Sequence, residues 1–431
     1  MKAVLSPSVL SGTVPAIASK SDIHRLLICA ALADSETTLK LNSQSPLSDD
    51  ILATAECLRE LGADIFIRNG AFHIIPCKEV PDAPLLDCKE SGSTLRFMLP
   101  VAAALCGAPS FTGSGRLPER PVKELLDAVC KNGPAVSAPK LPFSFSGKLQ
   151  SGTFELPGNV SSQYITGLLM ALPLLKGDSF IKLTTPLQSA SYIDITLHAL
   201  SRFGICVEKL ADENGGYFVP GGQTYRSPGD VTADGDWSNA AFFLAAGAVG
   251  SKPVSVSGLA PGSPQGDKAI ARILEELGAD VSYEPKDNDG LCTVTVSPAP
   301  LHGTTIDLSD IPDLLPILAV TASHADGKTE FINGARLRLK ESDRIASVYN
   351  MLKAIGTFSE EKPNGLTVFE SKEQCGGTVD SANDHRIVMA ASIAAAVCSS
   401  PVTVLDSQAV KKSYPSFFED YNAIGGHADV I

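Results

Sequence analysis

One helix-opening pattern recurs six times along this chain, and it limits the possible folds more than any local feature does. A polar residue opens an Ala/Leu-rich helical run at Ser21, Ser93, Ser161, Ser238, Asp313 and Asp384, at intervals of 72, 68, 77, 75 and 71 residues. Self-similarity at a steady period marks a chain built from one repeated supersecondary unit. Each repeat continues with a short β-type run, such as 37–41 or 329–332, and then an amphipathic helix. Ile51, Ala55, Leu58 and Leu61 show the helical spacing. These second helices end at Gly62, Gly133, Gly204, Gly278, Gly356 and Gly425, where a left-handed residue is expected. Two more strand-like runs follow, as in 64–67 and 72–75, but the sixth repeat is cut short after Gly426.

A chain of 431 residues exceeds one ordinary core and suggests two domains of about 200 residues each. The fold class expected is α/β, with three repeats per domain. The Gly/Pro-rich run 221–229 marks the middle. Repeats 1–3 are assigned to a domain over 19–229, and repeats 4–6 to a domain over 1–18 plus 230–431. The strand-like residues 1–14 complete a sheet of the second domain, so the chain passes between domains near Ser19 and near Asp230.

Composition narrows the function. Hydrophobic residues make up 44% and charged residues 19%, enough to build large cores. A formal charge of −13 argues against a general nucleic-acid or anionic-membrane binder, so no nucleic acid or membrane partner is expected. Any anion site must be a local basic cluster. Ten cysteines include no Cys-x-x-Cys pair, and Cys29, Cys57, Cys106 and Cys398 lie in apolar helical patterns. Reduced thiols in a cytoplasmic protein are expected. The seven histidines lack metal-ligand spacing, so no metal is expected. Ala16-Ile17-Ala18 imitates a signal-peptidase site, but Pro7, Gly12 and Pro15 interrupt any apolar segment before it. Gly113-x-Gly115 lacks the third glycine of a dinucleotide fingerprint, and no phosphate-loop motif occurs, so no nucleotide cofactor is expected.

The unusual polar clusters gather at helix starts. Lys20-Ser21 with Arg25, Glu90–Ser93, Ser161-Ser162-Gln163, Asp313 and Asn383–Arg386 lie where first helices begin. Arg120-Pro121, Ser189 with Tyr192, Lys340–Arg344 and Lys412-Ser413 lie near the second helices. A helix N-terminus presents unpaired N–H groups and a partial positive charge, and it favours phosphates and carboxylates. Basic residues there need an anion or an acidic partner. Lys340 and Arg344 share a helix face, which costs about a few tenths of a kcal/mol. Read alone, that segment is a solvated face with a Glu341–Arg344 pair; with its counterparts in other repeats, it is an anion clamp beside a proton-transferring carboxylate. Lys20-Ser21 and Ser161-Ser162-Gln163, each alone, are ordinary helix caps. Asp313 alone is a first-turn carboxylate, and Asp384-His385-Arg386 reads as a surface turn or a cleft wall.

Together these residues resemble the EPSP synthase (3-phosphoshikimate 1-carboxyvinyltransferase) family of enolpyruvyl transferases. The pieces that carry the resemblance are Ser19-Lys20-Ser21 with Arg25, Ser91–Thr94 with Arg96, Glu119-Arg120-Pro121, Ser161-Ser162-Gln163, Ser191–Thr196, Ile311-Pro312-Asp313, Lys340–Arg344, Asn383–Arg386 and Lys412–Pro415. They span essentially the whole chain in order. The resemblance implies two domains of three βαβαββ-type repeats, an inside-out α/β barrel, with the active site in a cleft between them that closes on substrate by induced fit. It implies transfer of the enolpyruvyl group of phosphoenolpyruvate to the 5-hydroxyl of shikimate 3-phosphate, with release of phosphate, in chorismate and aromatic amino-acid biosynthesis. It implies a monomer acting on two small molecules, without a cofactor.

By the same resemblance, Lys20, Ser21, Arg25, Ser161, Ser162, Gln163, Ser189, Asp313 and Lys340 bind shikimate 3-phosphate. Lys20, Gly92, Arg120, Arg344, Arg386 and Lys412 bind phosphoenolpyruvate. Asp313 accepts the hydroxyl proton, and Glu341, with Lys20 assisting, protonates the methylene carbon. Three positions depart from the commonest family pattern: Ala18 stands for glycine or proline, Glu90 for asparagine and Arg336 for asparagine. Glu90 adds negative charge beside the phosphoenolpyruvate pocket.

Three other readings remain. UDP-N-acetylglucosamine enolpyruvyl transferases share the fold and chemistry, but usually carry Lys-Asn in place of Lys20-Ser21 and a cysteine in the loop matching Gly113–Pro121. This chain has neither. An RNA 3′-phosphate cyclase-like protein needs a histidine nucleophile, for which His385 is the one candidate, and the acidic charge disfavours RNA. A catalytically dead binding protein is opposed by Lys20, Asp313 and Glu341 standing intact.

Overall fold

The computed structural model describes residues 1–41, 45–211, 213–286, 290–371 and 373–431. Among them are twelve α-helices: α1 (Lys20–Ala31), α2 (Asp49–Glu60), α3 (Gly92–Leu105), α4 (Lys123–Cys130), α5 (Ser162–Ala171), α6 (Ala190–Arg202), α7 (Trp237–Val249), α8 (Ala269–Leu277), α9 (Leu315–Ala322), α10 (Arg344–Ala354), α11 (His385–Val397) and α12 (Phe417–Ala423). Two helices per repeat is the number the periodicity predicts. The odd-numbered helices are almost completely buried, as in α11, where His385 through Ala396 are all buried, and past their polar first turns they are largely apolar all round. The even-numbered helices are amphipathic and bury one face; in α8 that face is Ile270, Ala271, Ile273, Leu274 and Leu277. All six glycines expected as helix stops have positive φ, from 73° at Gly204 to 130° at Gly133.

The described residues form six four-stranded sheets with one common plan. The first strand runs parallel to the second, the second antiparallel to the fourth, and the third antiparallel to the fourth. The third repeat shows the plan within a contiguous stretch. Thr153–Leu156 is parallel to Ser179–Leu183, which pairs antiparallel with Gly216–Val219, and Glu208–Leu210 pairs with that last strand. Side chains of Ser179–Leu183 alternate buried and exposed, as a sheet with one covered face requires.

Three strands leave their own repeat. Lys2–Ser6 sits between Val402–Leu405 and His427–Val430, supplying the strand that the sixth repeat lacks. Gly12–Pro15 pairs parallel with Val254–Leu259, in the fourth repeat's sheet. Asp230–Thr232 pairs parallel with Thr37–Lys40, in the first repeat's sheet. The N-terminal residues thus serve two sheets rather than one, and the second passage expected near Asp230 falls after this strand instead.

The chain divides into two compact units. One holds Met1–Ser19, 45–48 and Asp234–Ile431. In it α7, α9 and α11 pack on one another around a core that includes Trp237, Phe243, Leu318 and Ile393. The other holds Lys20–Leu41 and Asp49–Ala233. There α3 packs on α5, and α1 on α2 and α6. The approach of α3 to α5 is close: a Cβ on Gly167 would stand 2.2 Å from the Arg96 carbonyl oxygen. All ten cysteines are free thiols. Among the described residues no helix is long and apolar enough to cross a membrane.

Candidate active site

Helix starts set the positions of the expected residues within each unit. Three helices, α1, α3 and α7, begin one residue before the polar marker read from the sequence. Ser91 caps α3 by accepting from the Thr94 N–H, and Asp236 caps α7 by accepting from Asn239. The helix start at Asp313 is a 3-10 turn, Pro312–Leu314, that leads into α9.

In the unit over 20–233, Lys20 opens α1, and its ammonium lies 2.8 Å from Asp50 Oδ2 in the first turn of α2. This is the acidic partner that a cation at a helix N-terminus requires. Arg25 is buried one turn later. Its Nε donates to Thr196 Oγ1 at 2.8 Å, Nη2 to the Tyr192 carbonyl at 2.9 Å and Nη1 to the Ser21 carbonyl at 2.5 Å. Its guanidinium carbon sits 5.0 Å from the centre of the Phe97 ring. Burial lowers the Arg25 pKa to about 10, against the opposing pull of Asp22. Arg25 thereby ties Ser21 on α1 to α6.

A chain of buried side chains links α1, α2 and α3. His24 Nδ1 lies 2.7 Å from Thr54 Oγ1, Thr54 lies 2.7 Å from Thr94 Oγ1, and Thr94 donates to Ser91 Oγ at 2.8 Å. Burial, then the charges of Lys20 and Arg25, push the His24 pKa well down, so the ring is neutral at pH 7. Gly92 follows Ser91 and lies against Arg120: a Cβ there would stand 2.7 Å from Arg120 Nη1. Ser161 caps α5 by accepting from the Gln163 N–H. The Gln163 side chain accepts from Arg96 Nη1 at 2.6 Å and donates to Ser93 at 2.9 Å. Arg96 also donates to the Pro121 carbonyl at 2.7 Å, which brings Gly92, Ser93, Arg120, Ser161 and Gln163 into one neighbourhood. Ser189 precedes α6 in the left-handed region, at φ 58°. Glu90 occupies the space beside Gly115, where a Cβ would meet its carboxylate at 2.5 Å.

In the unit over 234–431, Arg344 is the hub. Its Nη1 donates to Asp313 Oδ1 at 2.7 Å, its Nη2 to Glu341 Oε2 at 2.7 Å and its Nε to Asp384 Oδ2 at 3.0 Å. Burial opposes its charge, but Asp384, Glu341 and Asp313 outweigh it and raise the Arg344 pKa above the ordinary arginine value. Asp313 also accepts from Arg386 Nη2 at 2.9 Å, and Lys340 Nζ lies 3.6 Å away. Burial lowers the Lys340 pKa; Asp313 opposes that shift and Arg344 adds to it. Ser342 donates to Asp384 at 3.0 Å, and Asp384 caps α11 by accepting from the Arg386 N–H. Lys412 donates to the Asn383 carbonyl at 2.9 Å, where Ala382 and Asn383 both have positive φ. The Glu341–Arg344 pair read from the sequence is present, but Arg344 is buried, so the segment is not a solvated face.

Two contributors carry no mark in the sequence, Asp50 and Asp267; Arg96 and Ser238 are marked there without a binding role. Asp50 pairs with Lys20, Arg96 bonds Gln163, Ser238 bonds Arg386, and Asp267 reaches Arg386 through Ser238. For Asp50 the one signal is position: Asp49-Asp50 occupies the second-helix start, where other repeats carry basic residues. Among the described residues, no group of three or more His, Cys, Asp or Glu could hold a metal.

Chemically, the 234–431 unit offers two carboxylates, Asp313 and Glu341, fixed by one guanidinium, with Lys340 and Arg386 beside Asp313. Carboxylates so placed can exchange protons, and the cations can hold anionic groups.

Similar proteins carry the same description. Residues 4–421 match the family described as EPSP synthase (3-phosphoshikimate 1-carboxyvinyltransferase). The 3-phosphoshikimate 1-carboxyvinyltransferase of Clostridium kluyveri is 41% identical over 429 residues, covering 99% of this chain and 97% of that one. That of Methanocorpusculum labreanum is 39% identical over 435 residues, covering 99% of each. Among solved structures, EPSP synthase from Acinetobacter baumannii gives a TM-score of 0.82 at 24% identity, covering 100% of both chains. The enolpyruvyl transferase NikO from Streptomyces tendae gives 0.77 at 16% identity, covering 99% of this chain and 98% of that one. The solved structures bear on the fold, and the sequence match over nearly the full length bears on the family: the chain belongs to the EPSP synthase (3-phosphoshikimate 1-carboxyvinyltransferase) family.

Proposed function

We propose that this enzyme transfers the enolpyruvyl group of phosphoenolpyruvate to the 5-hydroxyl of shikimate 3-phosphate and releases phosphate. The observation that carries the reading within the molecule is the placing of Asp313 and Glu341, each 2.7 Å from Arg344. Two proton-transfer groups are what the reaction needs. Asp313 takes the proton of the 5-hydroxyl as its oxygen bonds to C2 of phosphoenolpyruvate. Glu341, assisted by Lys20, delivers a proton to C3, giving a tetrahedral intermediate. C3 then loses a proton, the bond from C2 to the phosphate oxygen breaks, and phosphate leaves. Each proton transfer contributes roughly 10²–10⁴-fold.

We assign Lys20, Ser21, Arg25, Ser161, Ser162, Gln163, Ser189, Asp313 and Lys340 to shikimate 3-phosphate. Lys20, Gly92, Arg120, Arg344, Arg386 and Lys412 are assigned to phosphoenolpyruvate. Support for these roles comes from the hydrogen bonds that order Gln163 beside Ser93 and Arg386 beside Asp313. Guanidinium groups suit such ligands because they match carboxylate and phosphate oxygens in pairs. We further propose a cytoplasmic monomer with two small-molecule substrates and no nucleic-acid or membrane partner. The free thiols are in keeping with a reducing compartment.

The test is direct. Purified protein should release phosphate from phosphoenolpyruvate only when shikimate 3-phosphate is present, without added metal or nucleotide. Equal release with UDP-N-acetylglucosamine, or none with shikimate 3-phosphate, overturns the reading.

A further inference from the structure

Behind Arg386 lies a second carboxylate that the proposed chemistry does not use. Asp267 sits in the 3-10 turn Gly266–Lys268 ahead of α8, with only 4% of its surface exposed. Its Oδ2 accepts from Ser238 Oγ at 2.5 Å. The same serine oxygen accepts from Arg386 Nη2 at 2.8 Å, and that nitrogen also donates to Asp313 Oδ2 at 2.9 Å. A hydroxyl carries one proton. Because Ser238 gives its proton to Asp267, its lone pairs are presented to Arg386. Asp267 Oδ1 is buried and has no hydrogen-bond partner among the described residues.

The charged groups facing Asp267 come from every neighbouring element. Asp236 caps α7, Asp313 lies in the turn ahead of α9, and Arg386 lies in the first turn of α11. The adjacent Lys268 directs its ammonium to the Pro261 and Ser263 carbonyls instead. Burial, then the Asp313 charge, raises the Asp267 pKa to about 6, and Arg386 opposes that rise. Arg386 is therefore the main cation that keeps this buried carboxylate ionised.

We propose that Asp267 is a positioning residue that holds the Arg386 guanidinium through Ser238, and that it takes up a proton when an anionic group of phosphoenolpyruvate engages Arg386. The proposal rests on the assignment of Arg386 to that substrate. A bound anion offsets the arginine's field at Asp267 and favours the neutral acid. By linkage, a ligand that favours the protonated form binds more tightly where that form is populated. Affinity for phosphoenolpyruvate then falls as pH rises above about 6.

The experiment compares the wild-type enzyme with Asp267→Asn and Ser238→Ala. KM for each substrate is measured across neutral pH, and proton uptake on phosphoenolpyruvate binding is measured by calorimetry in buffers of different ionisation enthalpy. The phosphate of the substrate titrates in the same range but contributes equally to all three proteins, so the differences report Asp267. The wild type should take up more protons than Asp267→Asn. Its KM for phosphoenolpyruvate should rise with pH relative to that variant, by up to about tenfold per unit, while KM for shikimate 3-phosphate keeps the same profile in both. Identical uptake and profiles in active wild type and Asp267→Asn overturn the proposal alone. A wild type inactive with both substrates overturns the functional reading and the proposal with it. Should Asp267→Asn fail to fold, Ser238→Ala decides: it should raise KM for phosphoenolpyruvate selectively, and an unchanged KM sinks the idea.

Discussion

Arg344 and Asp384 form an ion pair, Nε to Oδ2 at 3.0 Å, with 1% and 0% of their side chains exposed. Removing Asp384 leaves the buried Arg344 Nε without its acceptor while Asp313 and Glu341 still balance the charge, so the loss is that of a buried hydrogen bond between charged groups, about 1.5–3 kcal/mol. Asp384 is also the α11 cap, which adds about 1 kcal/mol. Asp384→Ala should therefore lower the urea midpoint strongly, whereas Asp343→Ala, which also removes a helix cap, that of α10, but only a partly exposed pair with Arg338, should cost less. Equal losses in the two variants would contradict the burial argument.

Glu341→Gln keeps the shape of the side chain but removes its ionisable proton. We expect kcat to fall by about 10²–10⁴-fold with little change in either KM. A loss confined to KM would mean that Glu341 only holds Arg344. Asp313 meets both Arg344 and Arg386, so Asp313→Asn should change kcat and KM for phosphoenolpyruvate together.

Gly92→Ala puts a methyl group 2.7 to 2.9 Å from the Arg120 guanidinium. The end of a flexible side chain can move aside, so the fold should survive. Arg120 loses its position, and KM for phosphoenolpyruvate should rise by about tenfold, or roughly 1.4 kcal/mol. Steady-state kinetics with each substrate varied in turn would show whether the shikimate 3-phosphate side is spared.

Asp267 also makes a pH-dependent stability prediction. An aspartate in an unfolded chain titrates near 3.9, and the folded value here is about 6. Between those values the folded state binds the extra proton. Its contribution is present below about pH 4, is lost as pH rises through about 6, and is level above. Asp267→Asn does not ionise, so its stability relative to wild type should increase across that window by about 2–3 kcal/mol. Urea melts at about pH 4 and about pH 8 measure it, and a constant difference would contradict the assignment.

Much of this was legible in the sequence because the signals repeat. Helix starts at Ser21 and Ser161, and left-handed stops such as Gly62 and Gly278, follow from local cap chemistry and hold within two residues. The exchange of Gly12–Pro15 and Asp230–Thr232 between the first and fourth repeats was not legible in full. The repeats are alike, so each strand carries the same local pattern whichever sheet receives it, and only tertiary packing distinguishes the two. The partners of Arg344 were half visible. Glu341 is three residues away on the same turn, but Asp313 and Asp384 come from elsewhere in the chain, and no period links them to it. Asp267 gave no signal at all: nothing in Gln265-Gly266-Asp267 sets it apart until Ser238 and Arg386 are placed beside it.

The strand Lys2–Ser6, lying between Val402–Leu405 and His427–Val430, gives the two units different histories on the ribosome. Every strand of the 20–233 unit has been synthesised once Thr232 is made, so that unit can close during translation. The other unit needs one of its earliest residues and its last strand in the same sheet. Lys2–Ser6 must therefore wait, unpaired, through most of elongation, and its two partners carry open edges until it docks. A nascent chain stalled short of His427 would be the form most exposed to strand-mediated aggregation.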